Sequence, residues 1–92
     1  MRFEWDDAKA AANLRKHGVS FDEAAEVFSD PYALESEDAE HSYGELRVDA
    51  VGYSATRMLF VIFTLRRGDV IRIISARKPT PSEIRMYEEQ KR

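Results

Sequence analysis

The sequence predicts an α+β fold: a small, mostly antiparallel sheet, two N-terminal helices packed on one of its faces, and a C-terminal helix. Three observations carry this. Residues 45–77 hold three β-patterned runs separated by breaks short enough for hairpins. Alanine-rich segments with clear start and stop signals precede them. After them, Thr80-Pro81-Ser82-Glu83 combines an N-cap threonine, a proline at the first helical position and a glutamate that closes a capping box.

In chain order, Arg2-Phe3-Glu4-Trp5 alternates polar with apolar and reads as a short strand, and Asp6 then caps a helix over 7–16. Ala8, Ala10, Ala11, Ala12 and Leu14 favour that helix. Lys16-His17-Gly18 ends it, with bases at the negative helix end and glycine where a left-handed residue is needed. Ser20-Phe21-Asp22-Glu23 is a second capping box and opens a short helix bearing Ala24, Ala25, Val27 and Phe28. Ser29-Asp30-Pro31 stops it. Residues 33–38 form an acidic candidate strand, and 38–44, with His41 and Gly44, a loop. The strand over 45–53 alternates Leu46, Val48, Ala50 and Gly52 with Arg47, Asp49, Val51 and Tyr53. Residues 58–65 are almost wholly apolar, which marks a central strand, and Arg66-Arg67-Gly68-Asp69 turns the chain into the last one. That strand, 70–77, has the β-branched density of a buried strand yet carries Arg72 within it and Arg77 at its end, followed by Lys78. A buried strand avoids charge unless the charge is paired or used.

The chain has 92 residues, the size of one domain spanning 1–92, and no cysteine. Disulfides, thiolate nucleophiles and cysteine zinc sites are therefore excluded, and two histidines without ligand spacing predict no metal site and no cofactor. No signal peptide pattern opens the sequence, and the longest apolar run, 58–63, is far too short for a bilayer, so a cytoplasmic protein without membrane association is expected. The net charge of −3 conceals an asymmetry: residues 1–46 carry four Lys/Arg against twelve acids, residues 47–92 ten against five. A cationic surface on the C-terminal half is compatible with this, and so is mutual neutralisation of the halves.

Several blocks resemble a known family. They are Phe3-Glu4-Trp5-Asp6, Lys9, Asn13, the KHGVSF run 16–21, Glu23-Ala24, Gly44-Glu45-x-Arg47, Gly52, Val61-Ile62-Phe63-Thr64, the RIISAR run 72–77 and Glu83-x-x-x-Tyr87. Together they resemble the BrnT-type toxins of bacterial type II toxin–antitoxin modules. The resemblance implies a RelE-like ribonuclease fold and a toxin that inhibits translation by cleaving RNA. It also implies neutralisation by a BrnA-type antitoxin in a heterotetramer, with operator DNA bound only through that antitoxin.

RNA cleavage without metal needs a base for the 2′-hydroxyl, cations for the phosphoryl charge and an acid for the leaving 5′-oxygen. Arginine suits the second role because its planar fork matches phosphate. The catalytic candidates are Arg77, Arg47, Arg72, Lys16, His17 and Glu45, with Lys78 and Tyr87 as substrate contacts. Each has an ordinary alternative. Lys16 and His17 suit a helix C-terminus electrostatically. Arg47 has Asp49 nearby, and Arg72 has Glu4 or Asp49, as ion-pair partners. Arg77, the foremost catalytic candidate, has a solvated strand end as its ordinary alternative, Glu45 an acidic loop and Tyr87 helix packing; His41 reads as a loop histidine. The acids Glu35, Glu37, Asp38 and Glu40 repel nucleic acid, so that face turns from RNA or docks a basic partner. A non-enzymatic protein-binding module is the competing reading.

Overall fold

The computed structural model describes residues 1–38 and 45–91; His41 and most of the expected 38–44 loop lie outside them. The strands are β1 (Arg2–Glu4), β2 (Leu34–Glu37), β3 (Arg47–Tyr53), β4 (Met58–Leu65) and β5 (Val70–Arg77). The helices are α1 (Asp7–His17), α2 (Phe21–Ala25), which runs into a 3-10 turn at Glu26–Ser29, and α3 (Pro81–Lys91). One sheet has the order β1-β5-β4-β3-β2. Hairpins build β3-β4-β5, and β2 adds antiparallel to β3. β1 returns beside β5 and runs parallel to it, Arg2 to Glu4 facing Val70 to Arg72. The sheet is therefore mixed rather than antiparallel, because the first strand pairs with the last, not with a hairpin neighbour.

Strand alternation sorts the sheet into two faces. Val48, Ala50, Leu59, Val61, Phe63, Ile71 and Ile73 join Val19, Phe21, Ala24 and Val27 in the main core. Gly52 lies on this face, where an added Cβ would come within 3.0 Å of Val27. The opposite face carries Val51 and Phe60, which pack with Tyr87 of α3 in a second, smaller cluster.

A register shift in β5 matters for function. Ile62 faces Ser75 while Phe63 faces Ile73, so Ile74 is an extra residue, a β-bulge. Plain alternation would put Arg72 and Arg77 on opposite faces. The bulge brings Arg77 back to the face of Arg72 and returns Ala76 to the core.

The expectation that both N-terminal helices cover one face needs revision. α2 does contribute Phe21 and Ala24 to the main core. In α1 the one fully buried residue is Asn13; Ala10 packs half-buried against the same core, and Leu14 is 51 % exposed. The Asn13 amide donates to the Ala76 carbonyl at 2.8 Å and to the Val19 carbonyl at 2.9 Å, and its oxygen accepts from the Ala76 N–H at 3.2 Å. Backbone groups of a strand point sideways in the sheet plane, so these bonds set α1 along the edge of β5 beyond the end of β1. Asn13 there completes a ladder that no strand continues.

The caps form as the sequence dictates. Asp6 accepts from the Lys9 N–H, and Gly18, at φ 69°, closes α1 with a bond to the Leu14 carbonyl. Thr80 and Glu83 exchange both bonds of their capping box. Ser20 and Glu23 complete only half of theirs, because the Glu23 carboxylate is turned toward Arg57. Among the described residues, no helix is long and apolar enough to cross a membrane.

Candidate active site

On the face opposite α2, one row of residues crosses four strands in register: Glu4, Arg72, Thr64, Arg47. Neighbours in such a row have Cβ atoms about 5 Å apart. Above it lies a hollow of about 300 Å³ lined by Lys9, Glu45, Arg47, Thr64, Arg66, Arg72 and Ile74. Four of the seven lining side chains are cations, against one carboxylate. Glu4 and Glu45 limit the charge of Arg72 and Arg66. Glu4 accepts from Arg72 Nη1 at 2.7 Å and lies 4.0 Å from Arg66, and Glu45 pairs with Arg66 at 2.8 Å. Each of these bonds uses one or two of the five N–H donors of a guanidinium, so donors remain for an anion. Thr64 forms the floor. It is 2 % exposed, and its Oγ1 has no hydrogen-bond partner among the described residues.

Arg77 shares the face but not the hollow. It faces Phe60, four residues along β4 from Thr64, roughly 13 Å away at strand rise. Its guanidinium donates twice to Glu83, at 2.9 and 3.0 Å, and to the Lys78 carbonyl, and it lies 3.9 Å from the Phe60 ring centre. Arg77, the foremost catalytic candidate of the sequence, is thus neither in the hollow nor the solvated strand end of its ordinary alternative, but an anchored side chain. Burial works against the charge on Glu83, but Arg77 and the Thr80 N–H outweigh it and hold the carboxyl below its ordinary range.

Lys16 and His17 line a second recess along α1, with Lys9, Ala12, Asn13 and Ser75. Lys9 borders both recesses, so a cationic band runs along α1 from Lys9 to Lys16 and His17, beside the bulge of β5. Lys78 is exposed. Tyr87 is 2 % exposed, and its hydroxyl donates to Asp30 at 2.8 Å, which leaves no ring face for a nucleobase; the helix-packing alternative is the one that fits. A wider cleft of about 420 Å³ is lined by Glu26, Asp30, Tyr53 and Ala55 among others. Its carboxylates make it a poor host for a phosphate backbone.

A hollow lined mostly by cations suits an anionic ligand, and comparison with known proteins supplies the family. The family model described as "Ribonuclease toxin, BrnT, of type II toxin-antitoxin system" matches residues 5–83. The chain belongs to the BrnT family. The crystal structure of the Brucella abortus ribonuclease toxin BrnT superposes with a TM-score of 0.68 at 24 % identity, covering 87 % of this chain and 97 % of that one. At that identity the likeness establishes a shared fold. No curated protein matches the sequence. Membership in a BrnT toxin family implies an antitoxin as partner.

For this BrnT-family chain, sequence reasoning found Arg47, Arg72 and Glu45, which the fold brings together, and Lys16 and His17, which it sets beside them. It overlooked Lys9, Thr64 and Arg66. Lys9 and Thr64 stood within family-like blocks, and Thr64 is the one hydroxyl in an otherwise apolar strand, a signal readable without coordinates.

Proposed function

We propose that this chain is the toxin of a type II toxin–antitoxin module and a metal-independent endoribonuclease of RelE-like fold. In this reading RNA enters the hollow between β3, β4 and β5. Glu45 takes the proton of the 2′-hydroxyl, whose oxygen attacks the adjacent phosphorus. Arg47 and Arg72 stabilise the extra negative charge on the phosphoryl oxygens. His17 or Lys9 returns a proton to the departing 5′-oxygen. The products are a 2′,3′-cyclic phosphate and a 5′-hydroxyl end, and loss of RNA inhibits translation in the cytoplasm. Lys16, Arg77 and Lys78 flank the strand path. A BrnA-type antitoxin neutralises the activity in a heterotetramer and carries all contact with operator DNA.

One observation carries the proposal: two arginines on the strands either side of β4, with Lys9 and Arg66, line a common hollow in a chain of a ribonuclease-toxin family. Purified protein incubated with total RNA, with and without chelator, tests it. Cleavage under both conditions with 5′-hydroxyl ends is the expected result, and Arg72→Ala should lower kcat/KM by about 10²- to 10³-fold. Absence of cleavage under both conditions, or 5′-phosphate ends, would overturn it. The acidic strand β2 at the sheet edge, with exposed Glu35 and Glu37, favours a second reading, a module that acts only by binding a basic partner. Undegraded RNA alongside tight antitoxin binding is the outcome that reading requires.

A further inference from the structure

Thr64 stands directly between Arg47 and Arg72 in the cross-strand row. Seven of the eight β4 residues are apolar, and Thr64 is the exception. Its side chain is buried, yet its Oγ1 finds no partner among the described residues. A buried unpaired hydroxyl is costly, and valine would fill the same space without that cost. Two arginines flank the residue across β4, and the Arg72 guanidinium spends only part of its donors on Glu4. A phosphate oxygen settling onto the Thr64 floor of the hollow would give that hydroxyl the acceptor it lacks.

We propose that the Thr64 hydroxyl donates to a phosphate oxygen of the bound RNA, making Arg72, Thr64 and Arg47 a single phosphate subsite. The proposal deepens the ribonuclease reading and rests on it for the identity of the ligand. It explains why a hydroxyl occupies a position that packing alone would give to valine.

The test compares wild type, Thr64→Val and Thr64→Ser in three measurements: melting temperature, affinity for an uncleavable 2′-O-methyl RNA, and kcat/KM on ordinary RNA. Thr64→Val should melt at or above wild type, bind the 2′-O-methyl RNA about ten- to a hundredfold more weakly, and lose kcat/KM at least as much. Thr64→Ser should recover most of both. A Thr64→Val protein that melts well below wild type would overturn the proposal, because the hydroxyl would then already be bonded within the protein. So would unchanged affinity, or a serine variant as weak as valine. If wild type cleaves RNA and Thr64→Val matches it, the subsite fails and the ribonuclease reading stands. If wild type neither binds nor cleaves RNA, the ribonuclease reading fails. The subsite is then judged on inorganic pyrophosphate by calorimetry: weaker binding by Thr64→Val supports it, and absent or equal binding overturns it.

Discussion

Arg72 and Arg77 look equivalent in the sequence, five residues apart on one strand, and the structure gives them different surroundings. Arg72 opens onto the hollow and donates to Glu4, while Arg77 is tied to Glu83 and lies against the Phe60 ring. Removing Arg77 strands a half-buried carboxylate. Arg77→Ala should therefore cost about 1–2 kcal/mol of stability in urea unfolding, after allowance for the partial exposure of the pair. Cleavage per folded molecule should stay within about tenfold of wild type, against the larger loss expected for Arg72→Ala. A collapse of cleavage in Arg77→Ala without loss of stability would return Arg77 to the chemistry. The sequence does not disclose the difference because the bulge at Ile74 decides it. Alternation predicts opposite faces for these arginines, and one additional residue cancels that prediction.

At the scale of elements, the capping signals were legible because they are local. Asp6, Gly18 and the Thr80–Glu83 box do what their positions dictate. What lies between elements was not legible. Arg57 donates to Glu23 at 2.7 and 2.9 Å and to the Gly18 carbonyl, which ties the β3–β4 turn to the start of α2 across more than thirty residues. Asn13 looked like a neutral residue in an alanine helix, and its edge-capping role depends on a strand 63 residues away. α3 is held by a buried link of the same kind, the Tyr87 hydroxyl on Asp30. Burial, and then the Asp30 carboxylate, push the Tyr87 hydroxyl from its ordinary 10.0 up to about 12. A raised value means the neutral form is favoured in the folded state, so this stability is complete below about pH 10 and is lost as pH rises toward 12. Tyr87→Phe should unfold with a shallower pH dependence across that window, followed by circular dichroism. An unchanged slope would show that Tyr87 does not set it.

For the whole molecule, the charge asymmetry between the halves is largely spent internally. Glu4 with Arg72, Glu45 with Arg66 and Glu23 with Arg57 each join an acid from the first half to a base from the second. What remains for a polyanion is the band from Lys16 and His17 through Lys9 to the hollow. A patch this small engages two or three phosphates, so log K for 2′-O-methyl RNA should fall against log salt with a slope of roughly −2. A slope near zero would mean binding without phosphate contacts. The sheet order itself was only partly readable. Hairpin spacing disclosed β3, β4 and β5, but no local pattern announces that Arg2 to Glu4 will lie beside Val70 to Arg72.

That closure has a consequence during synthesis. Lys9 and the Glu4 carboxylate leave the ribosome more than sixty residues before Arg72 and the outer edge of β5. No nascent or prematurely terminated chain lacking β5 can assemble the constellation, since its two halves meet only when the ends of the sheet do. Under the proposed reading, the chemistry therefore waits for β5 to be made and docked against β1.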